Sequence, residues 1–162
     1  MDERHVLSEQ EVADLVIGLR SLEWSWDPNE VDQIAEQFAW KIAGRTNWSV
    51  MLDTRFGPDT GRIAFDDAGV RVEQLSLAVS QPTSAKSVEG RQRVQDAFAH
   101  VVSAATGALG EPTSRLPGDL PEVRWRGDTA TVGVKRSSVQ VNVFLATNEY
   151  IDNFDWAVSR GL

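Results

Sequence analysis

Cysteine is absent from the 162-residue chain. That excludes disulfides, thiolate nucleophiles and thiolate metal sites. Histidine is scarce, with only His5 and His100, so neither a nucleophile–His–acid relay nor a His-rich metal centre has material to draw on. No window approaches the ~18 continuous apolar residues of a membrane span. The N-terminal MDERHVLSEQEV holds no apolar signal-peptide core. Phosphate-cradling loops of the Walker or G-x-G-x-x-G kind are missing, and basic residues interleaved with aromatics occur only at Arg124-Trp125-Arg126. These shortages predict a soluble cytoplasmic protein without cofactors, a binder of neither nucleic acid nor membrane, and a non-enzyme.

What the chain does have is ordinary globular material, 41% apolar and 25% charged, at a length that makes one domain over residues 1–162 the expectation. Its charge is lopsided. Residues 1–40 carry ten acids against Arg4 and Arg20, so the whole net charge of −8 lies there. Such a field repels nucleic acid and anionic membrane and speeds encounter with a basic protein surface. A solvated helical face that keeps the protein soluble is the competing explanation.

Periodicity lays out the elements. Ser8-Glu9-Gln10-Glu11 is a capping box, and Val12, Leu15, Val16 and Leu19 follow at helical spacing, which predicts a helix over about 9–22. Asp27, Pro28 and Glu30 announce a second helix, with its stripe at Val31, Ile34, Ala35 and Phe38. Trp24 and Trp26, separated by Ser25 in an extended segment, project to one side and can cover the seam between the two helices. Beyond Trp40 the pattern alternates. Strands are expected over 48–52, 62–65 and 70–79, with a loop at 56–61, a turn at 66–69 and a bulge near Glu73-Gln74 where the apolar phase slips. A third helix carries Val94, Phe98, Val101, Val102 and Ala105 and stops at Gly110. After a Pro-rich loop come three more strands, with Val139, Val141, Val143 and Leu145 facing one way and Gln140, Asn142, Phe144 and Ala146 the other. The far side of this sheet carries Arg124, Arg126 and Lys135, and a last helix starts near Glu149. The expected fold is α+β, order ααβββαβββα, an antiparallel sheet of about six strands with helices packed on one face.

Chemistry is hard to find in this layout. His100 lies among apolar neighbours, Asp66-Asp67 suits a turn, and Asp152-x-x-Asp155 suits the start of a helix, where acids favour the dipole. Asn47-Trp48-Ser49 is a sequon without a secretory signal, and Arg126-Gly127-Asp128 reads as a hairpin turn.

Whole segments say more than single motifs. Trp24 and Trp26 ahead of a helix closing in Ala39-Trp40, a later helix ending Gly110-Glu111-Pro112-Thr113, then Arg124-Trp125-Arg126-Gly127 and Val139, Val141 and Val143 leading to Tyr150 resemble an actinobacterial family known only as a domain of unknown function. The resemblance spans residues 9 to about 150 and departs at Ala39, where the family has Gly before the Trp. It implies a small cytoplasmic immunity protein, similar to the immunity factor of the mycobacterial necrotizing toxin. Its partner would be a cognate secreted toxin with a basic active-site cleft, such as an NAD-glycohydrolase.

The acidic map places the contact on Glu23, Asp27, Glu30, Asp32 and Glu36, with the polar sheet face around Arg124, Arg126 and Asn142 as the alternative. Two other readings stay open, a secretion chaperone for an effector and a small-ligand binder that uses Trp24, Trp48 or Trp125 as stacking surfaces.

Overall fold

The computed structural model describes residues 5–161. The capping box forms as the sequence requires: Ser8 Oγ accepts from the Glu11 N–H and the Glu11 carboxylate accepts from the Ser8 N–H, opening helix α1, Glu9–Arg20. Asp27 caps a single 3-10 turn, Pro28–Glu30, which runs into α2, Val31–Gln37. The end of α2 is a Schellman motif. Ala39 adopts φ 58°, the Trp40 N–H donates to the Ala35 carbonyl at 2.8 Å and the Ala39 N–H to that of Glu36 at 3.1 Å. A left-handed residue here explains why glycine suits this position.

Eight strands follow, not about six. They are β1 (Lys41–Arg45), β2 (Ser49–Thr54), β3 (Gly57–Phe65) and β4 (Val72–Ala78), then, after helix α3 (Val88–Leu109), β5 (Ser114–Leu116), β6 (Glu122–Arg126), β7 (Ala130–Arg136) and β8 (Val141–Thr147); helix α4 (Asn148–Ser159) closes the chain. The two strands that periodicity missed are the edges. β1 and β5 alternate over too few residues to show a pattern, and neither holds a fully buried side chain. The segment expected as a loop at 56–61 is largely the start of β3. The expected bulge is present: Ala64 pairs with Gln74 and Phe65 with Val72, which leaves Glu73 as the extra residue.

All strands join one antiparallel sheet in the order β1-β2-β3-β4-β8-β7-β6-β5. It consists of two four-stranded meanders, β1–β4 and β5–β8, placed side by side through their last strands, with Leu75 opposite Leu145 and Leu77 opposite Val143. The inner face, which carries Val50, Leu52, Ile63, Leu75, Leu77, Val132, Val134, Val141, Val143 and Leu145, packs with α1, α2 and α3 into one core. Trp24 and Trp26 stack, with ring centroids 4.8 Å apart, and belong to this core. Trp26 reaches that position with φ 64°, and its carbonyl accepts from the Val72 N–H at 2.8 Å. Trp125 is also interior, its indole N–H donating to the Gly110 carbonyl at 2.8 Å. Trp26 and Trp125 are buried in this core, and Trp24 is partly buried against it.

Helices do not share one face, however. On the outer face Phe144, Ala146, Ile151 and Tyr150 form a separate cluster, so α4 packs on the side of the sheet opposite α1 and α3. The alternation along β8 made this second apolar surface, because Phe144 and Ala146 fall between the inward Val143 and Leu145.

Candidate functional site

Three places collect polar side chains. The first is the acidic segment after α1. Glu23, Asp27, Asp32 and Glu36 are exposed. Asp27 accepts from the Asn29 N–H at 2.9 Å, Glu30 accepts from Ser25 Oγ, and Asp32 pairs with Arg45 of β1. Among the described residues Glu23, Asp27 and Glu36 have no ion-pair partner. The apolar stripe of α2, Val31, Ile34 and Ala35, is buried, so Asp32 and Glu36 occupy the outward side of that helix, as amphipathic spacing dictates.

The second is a cavity of about 580 Å³ walled by Leu15, Trp40, Leu77 and Val79, with Glu11, Asp14, Asp53 and Arg55 at its mouth. Its polar groups are largely engaged already. Glu11 pairs with Arg55, Asp14 accepts from Gln10 at 2.8 Å, and Asp53 accepts from the Asp59 N–H at 3.1 Å. Hydrogen bonding to the Ser8 backbone holds the Glu11 carboxyl below its ordinary range, with Arg55 adding to the effect against burial.

The third is the outer face of the sheet, and it divides in two. On the β5–β8 side Arg124 is 5% exposed. Its guanidinium forks onto Asp155 of α4 at 2.8 and 3.0 Å and also donates to Glu122. Burial works against that charge, and the hydrogen bonds to Asp155 and Glu122 outweigh it, leaving Arg124 above the ordinary arginine value. Two residues along β6, Arg126 forks onto Asp152 at 2.8 and 3.0 Å, which pulls the Asp152 carboxyl below its ordinary range. Alternate positions on a strand and positions one turn apart on a helix thus meet in register. Arg124 and Arg126 both hold α4 to the sheet; Arg124 is buried there, while Arg126 remains exposed. Asp152 and Asp155, read from sequence as residues that suit a helix start, are their partners; no local signal showed that, because the pairing spans more than twenty residues.

Beside it, where the two meanders join, a groove of about 290 Å³ is lined by Arg62 of β3, Gln74 and Ser76 of β4, Asn142 of β8 and Lys135 of β7, with Asp59 also in the lining. Neither Arg62 nor Lys135 has an ion-pair or hydrogen-bond partner among the described residues. Burial lowers the Lys135 ammonium below the ordinary lysine value, opposed by the charge of Glu122, and its Nζ stands 5.5 Å from the centroid of the Phe144 ring. Asn142 donates weakly to Ser76 Oγ at 3.3 Å. Of the outer-face residues singled out by sequence, Asn142 therefore sits in an open groove while Arg124 and Arg126 do not.

Elsewhere His100 Nε2 bonds the Leu7 carbonyl at 2.8 Å and anchors the segment before α1. Among the described residues no group of three or more His, Asp or Glu could hold a metal ion, and no helix is long and apolar enough to cross a membrane.

A model described as a family of unknown function, DUF6301, matches residues 10–147. The chain belongs to DUF6301. No curated protein and no solved structure matches it. The DUF6301 span contains the whole sheet and the groove and stops where α4 begins, so Asp155 and Asp152, the α4 acids that clamp Arg124 and Arg126, lie beyond it.

Proposed function

We propose that this DUF6301 protein is a non-enzymatic immunity protein, acting in the cytoplasm of the producing cell by covering the basic active-site cleft of a cognate toxin domain. The observation that carries the reading is the outward acidic segment: Glu23, Asp27 and Glu36 are exposed and carry no neutralising partner among the described residues, while the apolar stripe of α2 is spent on the core. Carboxylates so placed steer a positively charged surface toward the protein, as a cleft that binds phosphate-bearing NAD must be. Affinity itself needs a buried aromatic anchor. Trp48, 58% exposed at the turn between β1 and β2, is supplied three residues from Arg45, the partner of Asp32.

The test is surface plasmon resonance against the folded toxin domain encoded beside this gene, at two salt concentrations, with a growth-rescue assay in cells expressing that toxin. Glu23→Lys with Glu36→Lys, both exposed and unpaired, should slow association by about tenfold or more and remove its salt dependence. Trp48→Ala should act on dissociation instead. A wild-type protein that neither binds the folded toxin nor rescues growth would refute the proposal.

A further inference from the structure

The outer-face groove carries an inference of its own, independent of the immunity reading. Lys135 is half-buried and forms no hydrogen bond or ion pair among the described residues, and Arg62 in the same groove likewise forms none. Taking an ammonium partly out of water is unfavourable unless an opposite charge meets it, and here only the Phe144 ring and the charge of Glu122, which Arg124 already holds, offset that cost. The contrast lies on the same face of the same sheet, where Arg124 and Arg126 each receive a carboxylate fork from α4. Nothing about the strand chemistry prevents pairing. Of the groove's lining residues only Asp59 is an acid, and Glu122, the carboxylate whose charge acts on Lys135, is already held by Arg124.

The rest of the lining narrows the ligand. Gln74, Ser76, Asn142 and Thr60 present amides and hydroxyls, and the apolar contribution is limited to Met51 and Ala64 beside Gly61. No aromatic ring lines it, so it offers no stacking surface for a nucleobase. A volume of about 290 Å³ is at the low end for small-molecule sites. Two cations, one of them the planar fork that suits phosphate oxygens, call for a phosphate. Neutral amides with one carboxylate call for hydroxyls.

We propose that this groove binds a small phosphorylated polyol, a monosaccharide phosphate in chemical class, with the phosphate between Arg62 and Lys135 and the hydroxyls on Gln74, Asn142 and Asp59.

Isothermal titration calorimetry of the full chain in a phosphate-free buffer tests this, with ribose 5-phosphate and glucose 6-phosphate as probes, inorganic phosphate and glucose as comparison ligands, and side-chain amide NMR of Gln74 and Asn142 to locate the site. The expected result is saturable binding of at least one sugar phosphate, at least tenfold tighter than inorganic phosphate or glucose, with shifts of the Gln74 and Asn142 amides. Lys135→Met and Arg62→Ala should each weaken it by tenfold or more while the melting temperature stays within a degree or two of wild type. Absence of saturable binding by both sugar phosphates overturns the proposal, as does binding that survives both substitutions or shifts only amides elsewhere. Inorganic phosphate binding as tightly as the sugar phosphates overturns the polyol assignment.

Discussion

The two meanders of this sheet have the same connectivity and opposite fates on their outer faces. β5–β8 is followed by α4, which folds back over its outer face, whereas β1–β4 is followed by α3, which packs on the inner face. Cations beneath α4, Arg124 and Arg126, are matched by acids one helical turn apart. Those of the groove where the meanders join, Arg62 on β3 and Lys135 on β7, form no hydrogen bond or ion pair among the described residues, and Lys135 meets only the Phe144 ring and the charge of Glu122. Position on a strand decides only which face a side chain takes; what it does there depends on whether the chain itself supplies the opposing charge. Hence the outer face under α4 serves the fold and the groove beside it is open to a ligand.

That contrast breaks most clearly at Arg124. Arg124→Ala leaves Glu122 and Asp155 facing each other across a buried position, and the expected loss is about 3 kcal/mol, a fall in Tm of roughly 6–12 °C by calorimetry. Arg126→Ala, which removes an exposed pair, should lower Tm far less. Equal losses would mean that burial of Arg124 is not what matters.

Glycines give a second comparison. A Cβ at Gly133 would sit 2.1 Å from the Phe144 ring, which lies flat on it beneath α4, while one at Gly44 on the β1 edge meets nothing within 4 Å. Gly133→Ala should cost about 1–3 kcal/mol through displacement of that ring, and Gly44→Ala should stay within about 0.5 kcal/mol of wild type in urea denaturation. Ala39→Gly supplies a backbone scale for both. It relieves the left-handed strain at φ 58° and should add about 1 kcal/mol, raising Tm by roughly 2–4 °C.

The smallest effect concerns Glu73 on the β4 bulge. Burial raises its carboxyl pKa, and Asp66, Asp67 and Glu149 add to the shift. A raised folded value means the charged form is penalised in the native state: the penalty is absent below the unfolded carboxylate value and complete once pH has risen past the folded one. Glu73→Gln should therefore melt about 1–2 °C above wild type at neutral pH, with the gap closing as pH falls into the carboxylate range. A constant gap across that range would point to packing instead of charge.

Much of this architecture was legible in the chain because it is written in local signals. The Ser8 capping box, the inward Val141-Val143-Leu145 phase and the slip at Glu73 each follow from residues within a few positions of one another. The Asp27 cap was local as well, although the helix it announced begins with a 3-10 turn. Edge strands were not legible, since three to five residues with one exposed face hardly differ from a loop. Nor was the side on which α4 packs, because an amphipathic helix records that it has a partner and not which one. Among the candidate contacts, exposure of Asp32 and Glu36 could be foreseen from helical phase, and the entrapment of Arg124 could not. Its fate was decided by Asp155, thirty-one residues away. Lys135 shared the sheet face predicted for it, yet only its place in the groove where the two meanders join makes it a candidate for binding.

The central claim, that the groove cations are held without a hydrogen-bonded or ion-paired partner among the described residues while those under α4 hold the fold, is tested most directly by the melting temperature of Lys135→Met in phosphate-free buffer. Removing a half-buried ammonium that the protein does not itself pair should leave Tm equal to wild type or raise it by a degree or two, as replacement of a costly buried charge by an apolar chain of similar length does. A fall of several degrees, comparable with that of Arg124→Ala, would show that Lys135 is a structural cation and would contradict the account.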